Sequence, residues 1–389
     1  MARAVPRPDL SALLAAKEMV LVCGSGGVGK TTSAAAMAVS AASEIGGRVL
    51  VVTVDPARRL ADALGVGHIG NAATRVPDAA FTDAGTEPRG ELWAAMLDTK
   101  AGWDELIRRH APDARLRDSV LANPLYQNLT KRFVNSHDYM AMEQLYEFHS
   151  SGEYDLIIVD TPPSRNALSV LDAPGRMKDF FGSRLLKWLT VPYRSRLFSM
   201  ASRPFYQIAD RVLGSRFLED VAEFFMLFQQ MERGFVGHAR EVEQLLADPR
   251  TTFIVVSTLE AAPSYEAAYL ARELVRREFH LGAIIANRVL PASFTAKASA
   301  TSARKLVKLA GGRLADDVGE RLDADPAVVG DVLAEIGTRF HDVAVVATRE
   351  AERRAELAEL SSLLVAAPVL DHDVNDVADL LELAAHFDS

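Results

Sequence analysis

Cysteine is almost absent from this chain: among 389 residues there is one, Cys23. No disulfide can form within the chain and no thiolate cluster can hold a metal, which fits a reducing compartment. Long hydrophobic runs are also missing. No stretch of about 18 apolar residues occurs, so no transmembrane helix is expected. The opening "MARAVPRPDLSALLAAKEMVLVC" lacks the apolar core and small-residue cleavage site of a secretory signal. Positive charge is in deficit, with 43 Lys and Arg against 52 Asp and Glu and a formal net charge of -9. Nucleic acid is therefore not expected as a partner of the whole molecule. His68, His110, His137, His149 and His238 are scattered without ligand-like spacing. The expectation is a cytoplasmic protein, free to touch a membrane surface.

What is present is a large apolar inventory. Hydrophobic residues make up 49% and charged residues 24%, the balance of a globular protein. Short apolar runs alternate with helical patterns. "MVLVC" (Met19–Cys23), "VLVVTVD" (Val49–Asp55), "ELWAAMLD" (Glu91–Asp98), "YDLIIVDTPP" (Tyr154–Pro163), "TTFIVVST" (Thr251–Thr258), "LGAIIANRV" (Leu281–Val289) and "LLVAAPVL" (Leu363–Leu370) read as strands. An alanine-rich helix follows the first, from Lys30 to about Glu44. Continuous apolar strands separated by helices predict an α/β fold with a doubly wound, mainly parallel sheet covered on both faces.

Residues 100–151 and 175–248 break the alternation and read as helical. They are expected to form an inserted helical subdomain in a domain made of residues 1–99, 152–174 and 249–389. Nine of the chain's 17 Phe lie between Phe180 and Phe235, and from Gly175 to Arg216 nine Lys and Arg face two acids. A third insertion, from Ala292 to about Asp342, opens with the polar stretch "ASFTAKASATSARK", which reads as a mobile loop.

The chemistry starts at "CGSGGVGKTT". Gly24, Gly29, Lys30 and Thr31 satisfy G-x-x-x-x-G-K-[ST], with a strand before and a helix after. Gly24, Ser25, Gly26, Gly27, Val28, Gly29, Lys30, Thr31 and Thr32 together form a phosphate cradle. Its glycines allow positive φ and close backbone approach, Lys30 reaches β- and γ-phosphates, and the Thr31 hydroxyl can ligate Mg²⁺. The following helix aims its N-terminal dipole at the same anion. Two carboxylates end apolar strands: Asp55 and Asp160. Carboxyl ends of strands are where ligands sit in such sheets, so both are candidates for holding Mg²⁺ or orienting water. Each alone could equally cap a helix.

"GSGGVGKTT", "TVDPARRLADALG", "VDTPPSRNALSVLDAP" and "ANRVLP", in that order, resemble the ArsA-like ATPases, which include arsenite-pump and tail-anchored-protein-targeting ATPases; the likeness is greatest to single-copy actinobacterial-type members. The resemblance implies a P-loop NTPase that hydrolyses ATP with Mg²⁺. It implies that Asp55 activates the attacking water, that Asp160 lies near the metal, that Asn287 reads the adenine edge and that Pro368 packs on the base. It also implies a nucleotide-gated dimer, as a homodimer or with a paralogous chain. ATP is favoured over GTP because no Thr/Asn-Lys-x-Asp guanine-reading motif occurs. There are departures. Ser25 stands where the family has a lysine that crosses the dimer. Arg165 and Asn166 stand where its second switch runs Gly-His. The arsenite-binding thiols and the CxxC zinc pair are absent. Arg165, or the pair Arg58 and Arg59, is a candidate for the missing positive charge; surface ion pairing is the other reading of these arginines.

In the insertion, Phe217, Val221, Phe224, Phe225, Phe228 and Met231 recur at helical spacing. This is either the subdomain's own core or an adaptable apolar surface, across 175–235, for a hydrophobic or membrane-protein client. Three roles stay open on the sequence: a targeting or chaperone ATPase, the energising subunit of an anion transporter, and a regulatory subunit paired with a paralogue. Arsenite itself needs soft thiolates, which the chain lacks.

Overall fold

A computed structural model describes residues 9–54, 59–67, 69–97, 111–123, 137–162 and 232–387, with single positions between them. Eight strands form one sheet: β1 (Met19–Cys23), β2 (Gly47–Thr53), β3 (Thr74–Arg75), β4 (Gly90–Met96), β5 (Leu156–Asp160), β6 (Thr251–Thr258), β7 (Leu281–Val289) and β8 (Leu364–Pro368). The helices are α1 (Leu10–Ala15), α2 (Lys30–Ser40), α3 (Arg59–Ala63), α4 (Asp78–Asp83), α5 (Ala114–Ala122), α6 (His137–Ser150), α7 (Glu232–Ala247), α8 (Ala261–Arg276), α9 (Lys297–Leu309), α10 (Arg313–Leu322), α11 (Pro326–Ala358) and α12 (Val377–Ala385).

The strand order is β3-β4-β2-β5-β1-β6-β7-β8. Every described pairing is parallel except β3 with β4. Each of the central strands β1, β5 and β6 is buried along its whole length, as continuous apolar runs require when helices cover both faces. Strand alternation divides the core in two. Val20, Val22, Val51, Ile158, Ile254 and Ile285 join α2 and α12 on one face. Leu21, Cys23, Leu50, Val52, Val159 and Val255 join α6, α7 and α8 on the other. Each fully buried Val, Leu or Ile contributes about 1.5–3 kcal/mol, so these two layers hold the sheet. Helix α2 is buried on nearly all sides, with Ala34, Ala35, Ala36 and Ala38 inaccessible or nearly so. Its small side chains let it lie close between sheet and α12. A π-turn over Ala41–Ile45 carries it to the end expected from the sequence.

Two elements differ from the sequence reading. Strand β3 has only two residues, too short to produce a periodic signal. The polar stretch from Ala292 is not a loop. A 3₁₀ turn over Ala292–Phe294 leads into α9. Ala, Lys and Arg are good helix formers, and the small face of α9 is held by α11: a Cβ on Gly337 would meet Val307 Cγ2 at 2.5 Å and Ala303 O at 2.8 Å. Pairing with a distant helix decided what local polarity did not reveal.

Helices α9, α10 and α11 form an arm. Near its C-terminal end α11 is tied to the carboxyl edge of the sheet: Arg353 Nη1 donates to Leu259 O at 2.8 Å, and the Leu290 amide donates to Glu350 Oε2 at 3.4 Å. Leu357 then enters the sheet core. The residues of α11 before Glu350 continue past that edge. Asp325 caps the helix by accepting from the Ala327 amide, with Pro326 in the first turn. The described parts of the expected insertion, α5, α6 and α7, are helical; most of 163–231 lies outside the described residues.

Candidate nucleotide site

Strand β1 lies between β5 and β6, with the β1–β2 crossover running to one side and the β5–β6 crossover carrying the chain to the other. That is the topological switch point at which such sheets bind ligands. The segment from Gly24 to Gly29 leaves β1 there and turns into α2. Gly24, Gly27 and Gly29 have φ of 150°, 79° and 95°, values that side chains disfavour. Space adds a second constraint: a Cβ on Gly24 would meet Val256 O at 2.1 Å, and one on Gly29 would meet Asn287 Nδ2 at 2.2 Å.

Lys30 opens α2 and is only 6% exposed. Its Nζ donates to Ser25 O at 2.8 Å, so the ammonium is folded back over the loop. Thr31 Oγ1 donates to Asp160 Oδ2 at 2.6 Å, and Thr53 Oγ1 donates to the same oxygen at 3.0 Å. The parallel register sets this up, because Asp160 stands beside Val22 of β1 and Thr53 of β2. Asp160 is 1% exposed. Three strand ends and the first turn of α2 thus converge on one buried carboxylate.

Asn287 ends up against the loop. Its amide nitrogen donates to Val28 O at 2.8 Å, and its oxygen accepts from the Arg288 amide at 2.9 Å. Arg288 takes a positive φ of 57° there. Pro368 ends β8 beside Val289 at the same edge of the sheet. Cys23 is buried at the end of β1, and burial pushes its thiol up to about 12, against the opposing hydrogen bond with Thr161. It is a packed thiol and not a thiolate ligand. Gly26, Gly27 and Thr32 belong to the same loop and first turn, with Gly26 and Gly27 exposed.

Of the predicted site residues, the structure brings together Lys30, Thr31 and Asp160, with Asn287 on the flank. Asp55, Arg58, Arg165 and Asn166 lie outside the described residues, as does the side chain of Arg59. Asp55 follows β2, which is separated from β1 by β5. Sequence reasoning missed two contributors. Thr53 was legible only as part of "TVD" at a strand end. Glu266 of α8 carried no signal: its Oε2 accepts from Ser25 Oγ at 2.5 Å across 241 residues of sequence. Ser25 is therefore tied to a carboxylate. Glu266→Ala should raise the KM for ATP about tenfold, the low end of the scale for one hydrogen bond to a charged acceptor, about 1.5–3 kcal/mol. Steady-state phosphate release checks it, and an unchanged KM would mean the bond does not position the loop.

A family profile described as "Anion-transporting ATPase" matches residues 17–311. The chain belongs to this family of ATP-binding P-loop ATPases. Among curated proteins it is similar to the ATPase GET3 of Malassezia globosa, at 27% identity over 288 residues, covering 73% of this chain and 76% of that one. It is also similar to ATPase GET3A of Arabidopsis thaliana, at 26% identity, covering 70% of this chain and 67% of that one. Uncharacterized protein SCO2128 of Streptomyces coelicolor is 30% identical over 282 residues, covering 70% of this chain and 62% of that one. No described helix is long and apolar enough to cross a membrane. Among the described residues no group of three or more His, Cys, Asp or Glu is placed to hold a metal.

Proposed function

We propose that this chain is a magnesium-dependent, cytoplasmic ATPase that works as a nucleotide-gated dimer and handles or targets hydrophobic or membrane-protein clients through residues 175–235. The observation that carries the catalytic half is the convergence of Thr31 and Asp160, 2.6 Å apart, beside Lys30 at the switch point. These donors suit Mg²⁺. The ion favours hard oxygen ligands, keeps several waters, and uses one or two protein groups alongside substrate phosphates. Thr31 and Asp160 would hold it, and bound Mg²⁺ would draw charge from the phosphoryl oxygens.

The chain's own residues do the rest. The loop amides and the N-terminus of α2 receive the phosphates. Lys30 exchanges the neutral Ser25 carbonyl for charged phosphate oxygens, which are stronger acceptors. Thr53 keeps the Asp160 carboxylate in place. By resemblance Asp55 orients the attacking water and Asn287 and Pro368 serve the base. Asn287 would exchange part of its present bonding with the loop for the adenine edge. The client role rests on the Phe- and Met-rich composition of 175–235 and on the same resemblance. A role in energising an arsenite pump finds no support in the ligands, because the one thiol is buried and protonated.

Purified protein should release phosphate only with Mg²⁺, and its mass by light scattering should double with ATP and Mg²⁺. A monomer under every nucleotide condition, with or without a paralogue, would defeat the dimer. Full turnover in Arg165→Ala would remove that arginine from the candidates for the charge missing at Ser25.

A further inference from the structure

Helix α11 has a buried face and, beside it, a second row of apolar residues that is exposed. One face packs within the arm through Val329, Gly330, Gly337 and Ala347. The other carries Val328, Val332, Ile336 and Val346, which are 58%, 52%, 52% and 49% exposed, with Val343 half-buried on the same side. Spacings of three, four and seven residues keep such a stripe on one side of a helix. An exposed apolar row of this kind, crossed here only by the Glu335–Arg339 pair among the described contacts, suits an interaction site. The arm's tip and the whole of α11 lie beyond residues 17–311, the part matched by the family profile.

We infer that this outer face of α11 pairs, antiparallel, with the same face of a second copy of this chain. The inference rests on the dimer reading above and gives it a second contact. The first support is self-complementarity. A two-fold axis at the level of Gly337 along the helix sets Val328 opposite Val346 and brings Val332 within one residue of Val343, with Ile336 near the centre. The same axis sets Glu335 opposite Arg339, the pair that otherwise forms an exposed ion pair within the helix at 3.1 Å. Apolar residues meet apolar ones and opposite charges meet in one register, as an isologous interface requires. The second support is position. Helix α11 has 33 residues, about 50 Å at 1.5 Å per residue; among the described residues its hydrogen bonds to the sheet edge lie from Glu350 onward, and Phe340 packs on Phe294 of the turn after β7. The remainder, about 36 Å, runs past the carboxyl edge, the side that holds the nucleotide loop. Two copies facing each other through their loops would bring their arms together.

Cysteine cross-linking of the full chain tests the register. Val328→Cys combined with Val346→Cys should give disulfide-linked dimers on mild oxidation, whereas each single variant should not. The two positions are about 27 Å apart along one helix, too far to bond internally, and native Cys23 is buried. No cross-link in the double variant, or equal cross-linking in the single ones, would overturn the antiparallel pairing. Val332→Glu with Ile336→Glu alters two exposed positions and should raise the dimer dissociation constant at least tenfold in light scattering. A dimer of unchanged affinity would overturn the arm contact while leaving the nucleotide-gated dimer standing. A wild-type chain that stays monomeric while its stripe takes up an amphipathic peptide would overturn both and assign the face to a client. Phosphate release, followed in parallel, reports the ATPase reading independently.

Discussion

Lys30→Ala is expected to lower ATP turnover by about 10²–10³-fold. Lys30 is the one described cation that the loop geometry places at the phosphate position, and it is 6% exposed at the start of α2. In such a site a positive charge is screened far less than in water, so its loss from the developing phosphate charge is felt strongly. The nucleotide-free contact with Ser25 O keeps the ammonium hydrogen-bonded until phosphate arrives. Removing the side chain leaves one backbone carbonyl without that donor, which costs about 1–3 kcal/mol at most. The fold is therefore expected to survive. Phosphate release and circular dichroism on the same preparation separate the two effects. Turnover within tenfold of wild type in a folded variant would show that Lys30 does not act on the phosphates.

Asp160→Asn is expected to be of comparable severity, with a different signature. The substitution keeps the shape, and the Thr31 and Thr53 hydroxyls can rotate to meet an amide. What it removes is negative charge at a 1% exposed position where Thr31 Oγ1 approaches to 2.6 Å. If Thr31 and Asp160 hold Mg²⁺, turnover should fall by about 10²-fold or more, and the Mg²⁺ concentration for half-maximal activity should rise. Titrating Mg²⁺ at saturating ATP reads both. Full turnover at an unchanged Mg²⁺ requirement would move the metal elsewhere. Lys30→Ala should leave the Mg²⁺ requirement nearer to wild type, so the two variants distinguish loss of phosphate contact from loss of metal affinity.

Much of the fold was legible because the signals were local. The strands Met19–Cys23, Thr251–Thr258 and Leu281–Val289 are seen with the predicted bounds, since strands covered on both faces carry near-continuous apolar runs. The phosphate loop was legible because glycine and lysine requirements fall within nine residues, and the structure shows why: Gly24 and Gly29 face backbone and side-chain atoms at distances no Cβ could occupy. What stayed hidden depended on distance along the chain. Thr53 reaches Asp160 across 107 residues and Glu266 reaches Ser25 across 241, and neither pair carries a spacing rule. The polar segment from Ala292 read as a loop because its helix is held by α11 rather than by its own pattern.

By itself, then, the sequence determined the chemistry available to this protein: a phosphate cradle with its lysine, strand-end carboxylates, one thiol and a net negative charge. These follow from residue types within short windows, where backbone sterics and hydrophobic periodicity act. Tertiary structure decided how that chemistry is assembled. Strand order places β5 beside β1, and register then sets Asp160 against Thr31. Packing of α9 on α11 carries an apolar stripe past the carboxyl edge of the sheet and leaves it exposed. Both outcomes depend on which distant elements become neighbours, a choice made by the burial energy of the whole core and not by any one segment.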